Sequence, residues 1–310
     1  MPEPTRNTDM KKTWILALGL AGTLWACSES SSDTLPRSTD FTGPVFTQGA
    51  EGPAVRSDGV LFSLNFEKSG TVGQVDDKGN VSLFLQLPGD SHGNGTRFDS
   101  KGNMLIADQP GHRILKVDAN TKDVSVYAEF GGPNEPNDIA IMDNDIIFVA
   151  DPFFQAGTGR LWRVLTDGTV KLMDEELDAV NGIEVSPDNR TLYVNTTNTR
   201  KLLAYDLDEN GNLSNKRLLL TFPDYALDGM RCDEDGHLWI ARWEKGTVVY
   251  VSPNGLIIKE VRTTGKRPSN VAFGGKDGKT LFITEQERGV IEQFRVDVPG
   301  RNFKLSQQRQ

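Results

Sequence analysis

The chain has 310 residues, 34 Lys and Arg against 43 Asp and Glu, for a net charge of −9, with 31 glycines and only two cysteines. That length suits one closed domain. The absence of a basic stripe excludes nucleic acid as a partner, and two cysteines exclude a disulfide framework.

In chain order, Lys11-Lys12 precede an apolar run from Trp14 to Trp25 that ends at Ala26-Cys27. A positive start, a short apolar stretch and a small residue before the cut describe an export signal over residues 1–26, too short to span a bilayer comfortably. Leu24-Trp25-Ala26-Cys27 resembles a bacterial lipobox, which makes Cys27 the lipidated first residue of the mature chain. Ser28 in the next position is similar to lipoproteins sent to the outer membrane. The expected location is its periplasmic face or the cell surface, with the membrane touched through the lipid alone. Residues 27–47 are rich in Ser, Thr and Pro and read as a flexible tether. With Cys27 acylated, Cys232 has no partner and reads as a small buried hydrophobe.

From residue 48 one pattern recurs six times. A polar residue opens a strand, a turn follows, and an apolar return strand begins 10 or 11 residues after the opener. The openers are Glu51, Asn94, Asn137, Asn181, Asp228 and Asn270, spaced 43, 43, 44, 47 and 42 residues apart. The return strands begin at Leu61, Leu105, Ile147, Leu192, Leu238 and Leu281. The clearest copy runs from Leu227 to Trp243, with its turn at Asp233 to Gly236. A period in the forties built from strands alone predicts an all-β fold, a six-bladed β-propeller over residues 48–301, one blade per repeat. Residues 302–310 read as a polar, frayed tail.

In such a fold the first strand of each repeat lines a central channel, so the six openers form a ring at one mouth. Six oxygen-bearing side chains around an axis suit a hard cation, Ca²⁺ above all, and the lack of His and Cys among them argues against Zn²⁺ or Cu. Asn-Gly and Asp-Gly pairs also begin strands after turns for purely local reasons. A hairpin returns to where it began, so the loops after the return strands share the openers' face. His112, Phe153, Phe154, Arg242 and Trp243 lie in those loops, and His112 and Arg242 are candidate substrate contacts.

Glu51-Gly52-Pro53, Pro136-Asn137-Asp138, Asn181-Gly182 and Asp228-Gly229 resemble, in this order, the senescence-marker-protein, gluconolactonase and luciferin-regenerating-enzyme family. So do Leu238-Trp239-Ile240-Ala241-Arg242-Trp243 and the stretch Asn270 to Thr284. The resemblance spans about residues 50 to 295 and implies one divalent cation, often Ca²⁺, held by Glu51, Asn181 and Asp228. It further implies that Asn137 touches substrate or metal; Asn94 and Asn270, the remaining openers, are expected to support the metal set or line the pocket. Many members open sugar lactones; related propellers hydrolyse organophosphates. The expected activity is therefore metal-dependent hydrolysis of a lactone or similar ester. Asp228 is the catalytic carboxylate, either as base toward water or as nucleophile. Some sugar lactonases carry an Arg two residues before the third opener, where this chain has Glu135, so a cationic grip on a sugar acid is not expected. A surface-tethered propeller that only binds, and a phosphotriesterase-like hydrolase, are the alternatives.

Overall fold

The computed structural model describes residues 35–132 and 134–303. Six four-stranded antiparallel sheets follow one another around a ring, the six-bladed propeller expected from the repeats. The innermost strands are Phe46–Val55, Gly93–Phe98, Ile139–Ile141, Val180–Val185, Met230–Cys232 and Pro268–Gly274. The second strands are Leu61–Phe66, Met104–Asp108, Ile147–Phe153, Thr191–Thr196, Leu238–Arg242 and Thr280–Glu285, each starting within one residue of its expected position. All six second strands are buried along nearly their whole length, because each is pressed on both faces by neighbouring blades; only Phe153 and Thr191, at strand ends, are partly open. That is why they read as continuous apolar runs rather than as alternating ones. The outermost strands, such as Val81–Gln86, face solvent and carry more polar residues.

The core is divided among the blade interfaces. Phe62, Leu64 and Val72 of the first blade pack on Met104, Ile106 and Leu115 of the second. Five further clusters of the same kind occupy the remaining junctions. Turns of the form Asp-x-x-Gly-Asn set strand register. In Asp76 to Asn80 one carboxylate oxygen accepts the amides of Lys78 and Asn80, both at 2.9 Å, while Gly79 takes the left-handed φ of 83° that closes the turn.

Both ends of the expected domain require correction. The tether was expected to reach residue 47, but Thr39–Asp40 is the outermost strand of the last blade, paired with Val290–Arg295. Ser38 donates its hydroxyl to Glu292, Phe41 packs on Phe282 with ring centroids 5.0 Å apart, and Phe46 already belongs to the first blade. The physical reason is closure: a ring of sheets leaves the last blade one strand short, and the chain's own beginning covers that edge. The polar tail starts later than expected, since Arg301–Phe303 form a helical turn with Arg301 buried. The export signal, Cys27 and residues 304–310 lie outside the described residues.

Candidate metal and substrate site

The six openers gather at one mouth of the channel, and a glycine after four of them explains how they come so close. A Cβ at Gly52 would lie 2.3 Å from the Asn94 carbonyl oxygen, one at Gly95 2.6 Å from that of Asn137, and one at Gly182 2.3 Å from that of Asp228. At Gly229 it would lie 2.0 Å from Asn270 Cγ. Each glycine is thus a socket for the next blade's opener. The backbone adds its own staples: Gly95 N–H donates to the Asn137 carbonyl at 2.7 Å, and Asn137 N–H to the Ala150 carbonyl at 2.7 Å.

Side chains then link around the ring. Asn270 Nδ2 donates to Glu51 Oε2 at 3.2 Å, and the Gly52 amide donates to the same oxygen at 2.8 Å. Asp228 Oδ1 accepts the Gly229 amide at 3.0 Å, and Asn181 Nδ2 donates to Thr197 Oγ1 at 3.4 Å. Burial pushes Glu51 up to about 7, and the nearby charge of Asp138 adds to the rise. Burial raises Asp228 well above the usual carboxylate range, with Glu51 and then Asp138 contributing repulsion. Asp138 thus adds repulsion to both carboxyls. The side-chain oxygens of Asn94 and Asn181 are buried without a hydrogen-bond donor. Among the described residues no Lys, Arg or His forms an ion pair with Glu51 or Asp228, and no group of three or more His, Cys, Asp or Glu gathers as a metal cluster. The ring is a mixed set, two carboxylates and amide oxygens, whose donor chemistry fits a hard divalent cation.

The expected substrate contacts are placed differently. His112 sits on the rim with φ of 50°, and its Nδ1 bonds the Asn134 carbonyl in the loop leading to Asn137. Arg242 is only 2% exposed. Its Nη2 donates to the Asp224 backbone carbonyl and, at 2.7 Å, to Asp224 Oδ1, and its guanidinium lies 4.3 Å over the Phe222 ring. Both side chains fasten the loops that carry the openers; Arg242 is closed off by burial, while His112 stays partly exposed at the rim. Trp243 donates Nε1 to Gln286 at 3.1 Å, whereas Phe154 is exposed at the rim. Asn137, two residues before its strand, is buried at the ring itself.

Below the ring lies a layer that the sequence reading missed. Asp138, fully buried, accepts from Arg97 Nη1 at 3.3 Å and from Arg231 Nη1 at 3.1 Å. Glu184 is 3.8 Å from Arg97 and 3.5 Å from Arg301, which reaches in from the C-terminal turn. Arg301 also donates to the Ile141 carbonyl at 2.9 Å, Asp143 at 2.8 Å and Asn189 at 3.0 Å. Burial and the Arg231 charge pull Arg97 down to about 10, still cationic near neutrality. Arg97, Glu184 and Arg231 each stand three residues after an opener, and that shared offset in otherwise apolar strands was the available signal. The network closes the channel beneath the ring. A cleft of about 250 Å³ that opens beyond it, lined by Arg97, Glu184, Arg231 and Arg301, contains none of the openers.

Residues 49–287 match the model of the SMP-30/Gluconolactonase/LRE-like region. A 6-deoxy-6-sulfogluconolactonase of Pseudomonas putida is 29% identical over 259 residues, covering 75% of this chain and 86% of that protein. A gluconolactonase of Zymomonas mobilis is 26% identical over 273 residues, covering 76% of each. Among solved structures, a calcium-binding protein, regucalcin, from Agrobacterium tumefaciens superposes with a TM-score of 0.75 at 23% identity, over 86% of this chain and 96% of that one. At that identity the superposition speaks for the fold.

Proposed function

The chain belongs to the SMP-30/Gluconolactonase/LRE-like family, and from that membership together with its ring of oxygens we propose a lactonase that opens a sugar lactone or similar ester with a divalent cation at the channel mouth. One observation carries the metal: desolvation raises both the Glu51 and Asp228 carboxyls, Glu51 raises Asp228 further, and they share the ring with two buried amide oxygens that lack donors. Glu51, Asp228 and the side-chain oxygen of Asn181 would hold the ion, with Asn94 or Asn137 as further oxygen donors. A bound divalent ion, Ca²⁺ above all, supplies Lewis-acid polarisation of the lactone carbonyl. Asp228, open in part to the mouth, either takes the proton of the attacking water, which opens the lactone directly to the hydroxy acid, or attacks the carbonyl itself, expelling the ring oxygen as a hydroxyl and forming an acyl-Asp228 anhydride that water then cleaves to the hydroxy acid. Asn137 orients the substrate. The Arg97–Asp138–Arg231 network holds the floor of the ring fixed and keeps water from entering below.

The test is turnover on a panel of sugar lactones, simple esters and a phosphotriester, with and without EDTA and with Ca²⁺ restored. Loss of lactone hydrolysis in EDTA and its return with Ca²⁺ are expected. Undiminished turnover in EDTA would overturn the metal role. No turnover of any lactone or ester would leave a tethered binding propeller as the better reading.

We further propose export and lipid anchoring through Cys27, on the strength of the Lys11-Lys12 start, the short apolar run and Leu24-Trp25-Ala26-Cys27. Intact mass of the membrane fraction tests this, since acylation adds the mass of the acyl chains and Cys27→Ser abolishes it.

A further inference from the structure

On most of the outer wall, large apolar side chains are exposed one at a time, as with Leu83 of the first blade and Val126 of the second. The fifth blade differs. Leu256, Ile257 and Ile258, at the start of its outer strand Ile257–Arg262, are 67%, 45% and 46% exposed. Strand alternation would turn one of two neighbours inward. Here Tyr250 pairs with Lys259 while Val251 pairs with Ile257, so Ile258 is the extra residue of a bulge and both isoleucines face out. The adjoining outer strand of the fourth blade adds Leu218, and contact between the two walls is close: a Cβ at Gly255 would lie 2.6 Å from the Leu219 carbonyl oxygen.

The described chain begins on this same wall. Arg37 bridges Arg262 in parallel; Arg262 N–H donates to the Pro36 carbonyl at 2.8 Å and Ser38 N–H to the Arg262 carbonyl at 3.0 Å. A parallel bridge means that Leu35 and Pro36 arrive from the side on which Ile257 lies, and Leu35 is itself exposed. The charges around the patch cancel in pairs: Lys259 with Asp297 at 3.1 Å, Lys216 with Asp174 at 2.8 Å and Arg217 with Asp206 at 2.5 Å. An apolar face with a neutral border fits the interfacial zone of a lipid bilayer better than an acidic or basic partner.

We propose that the wall formed by Leu35, Leu218, Leu256, Ile257 and Ile258 rests on the bilayer that holds Cys27. The proposal rests on the lipid-anchor reading and is independent of the lactonase reading. Its geometry is tight: eight residues from Cys27 to Leu35 reach at most about 29 Å when extended, and five residues from Arg262 back to Ile257 span about 17 Å. With its side wall down, the propeller axis runs along the membrane, and the ring opens beside the bilayer rather than into it.

The test uses the full lipidated chain in phosphatidylcholine vesicles, with Ile258→Cys or Val126→Cys labelled by a polarity-sensitive fluorophore. Cys232 is 1% exposed and Cys27 is acylated, so the introduced thiol alone is labelled. Expected are a blue shift and severalfold brighter emission at position 258, none at 126, and no change from low to high salt. Identical emission at both positions, with acylation verified by mass, overturns the proposal. So does a shift at 258 that appears without vesicles and grows with protein concentration, which marks a second copy of the chain as the occupant. An unacylated Cys27 removes the anchor and the proposal together, whereas lactone turnover on the same vesicles reports separately on the ring.

Discussion

Replacing Asp228 with Asn should have opposite effects on stability with and without calcium. Moving Glu51 from 4.5 to about 7 corresponds to about 3 kcal/mol against its ionised form. Burial accounts for the largest share, and repulsion within the carboxylate cluster for part of the rest. Asn at 228 keeps an oxygen for the Gly229 amide and removes one charge from that cluster, so the cation-free protein should gain about 1 kcal/mol, or about 2–4 °C in Tm. The sign follows from linkage: acids raised in the fold favour the native state at low pH and lose that contribution as pH rises through the folded value. The advantage of Asp228→Asn is therefore absent near pH 4 and grows as pH rises through the raised folded values of Asp228 and Glu51. Calcium at a hundredfold excess over its Kd should stabilise the unaltered chain by about 2.7 kcal/mol. The variant should lose most of that response and all lactone turnover. Thermal melts in EDTA and in a calcium series, with a pH-stat assay of ring opening, measure each quantity. A variant less stable than the parent in EDTA at pH 8, or one that keeps its calcium response or its turnover, would refute the reasoning.

Arg231→Gln should cost about 3–5 kcal/mol in urea midpoint analysis, because it leaves Asp138 with Arg97 as its one close cation in a buried setting. Asp151 should make stability pH-dependent. Burial lifts it to about 6 although Trp162 Nε1 donates to it at 2.7 Å, so stability falls by at most about 3 kcal/mol as pH rises from about 4 through 6. Asp151→Asn should flatten that segment of the Tm profile. Removal of residues 35–42 should strip the last blade of its closing strand and expose an unpaired edge, seen as self-association by light scattering. A monomeric, fully stable product would show that closure does not depend on Thr39–Asp40.

Repeat spacing and apolar return strands determined the number of blades, their order and the face carrying the openers. Those are consequences of local chain geometry: a two-residue side-chain period and turns at fixed intervals are written directly into neighbouring positions. The glycine sockets at Gly52, Gly95, Gly182 and Gly229 were visible as letters, and their purpose emerged only when the next blade stood against them. Tertiary structure alone decided that Arg242 and His112 hold loops, since their partners Asp224 and Asn134 are backbone or loop groups 18 and 22 residues away with no pattern linking them. It alone joined Arg97, Asp138, Glu184, Arg231 and Arg301 beneath the ring. A buried charge must find its counter-charge wherever closure brings one: the shared three-residue offset marks Arg97, Glu184 and Arg231 as a set, but not their partners Asp138 and Arg301 across the channel.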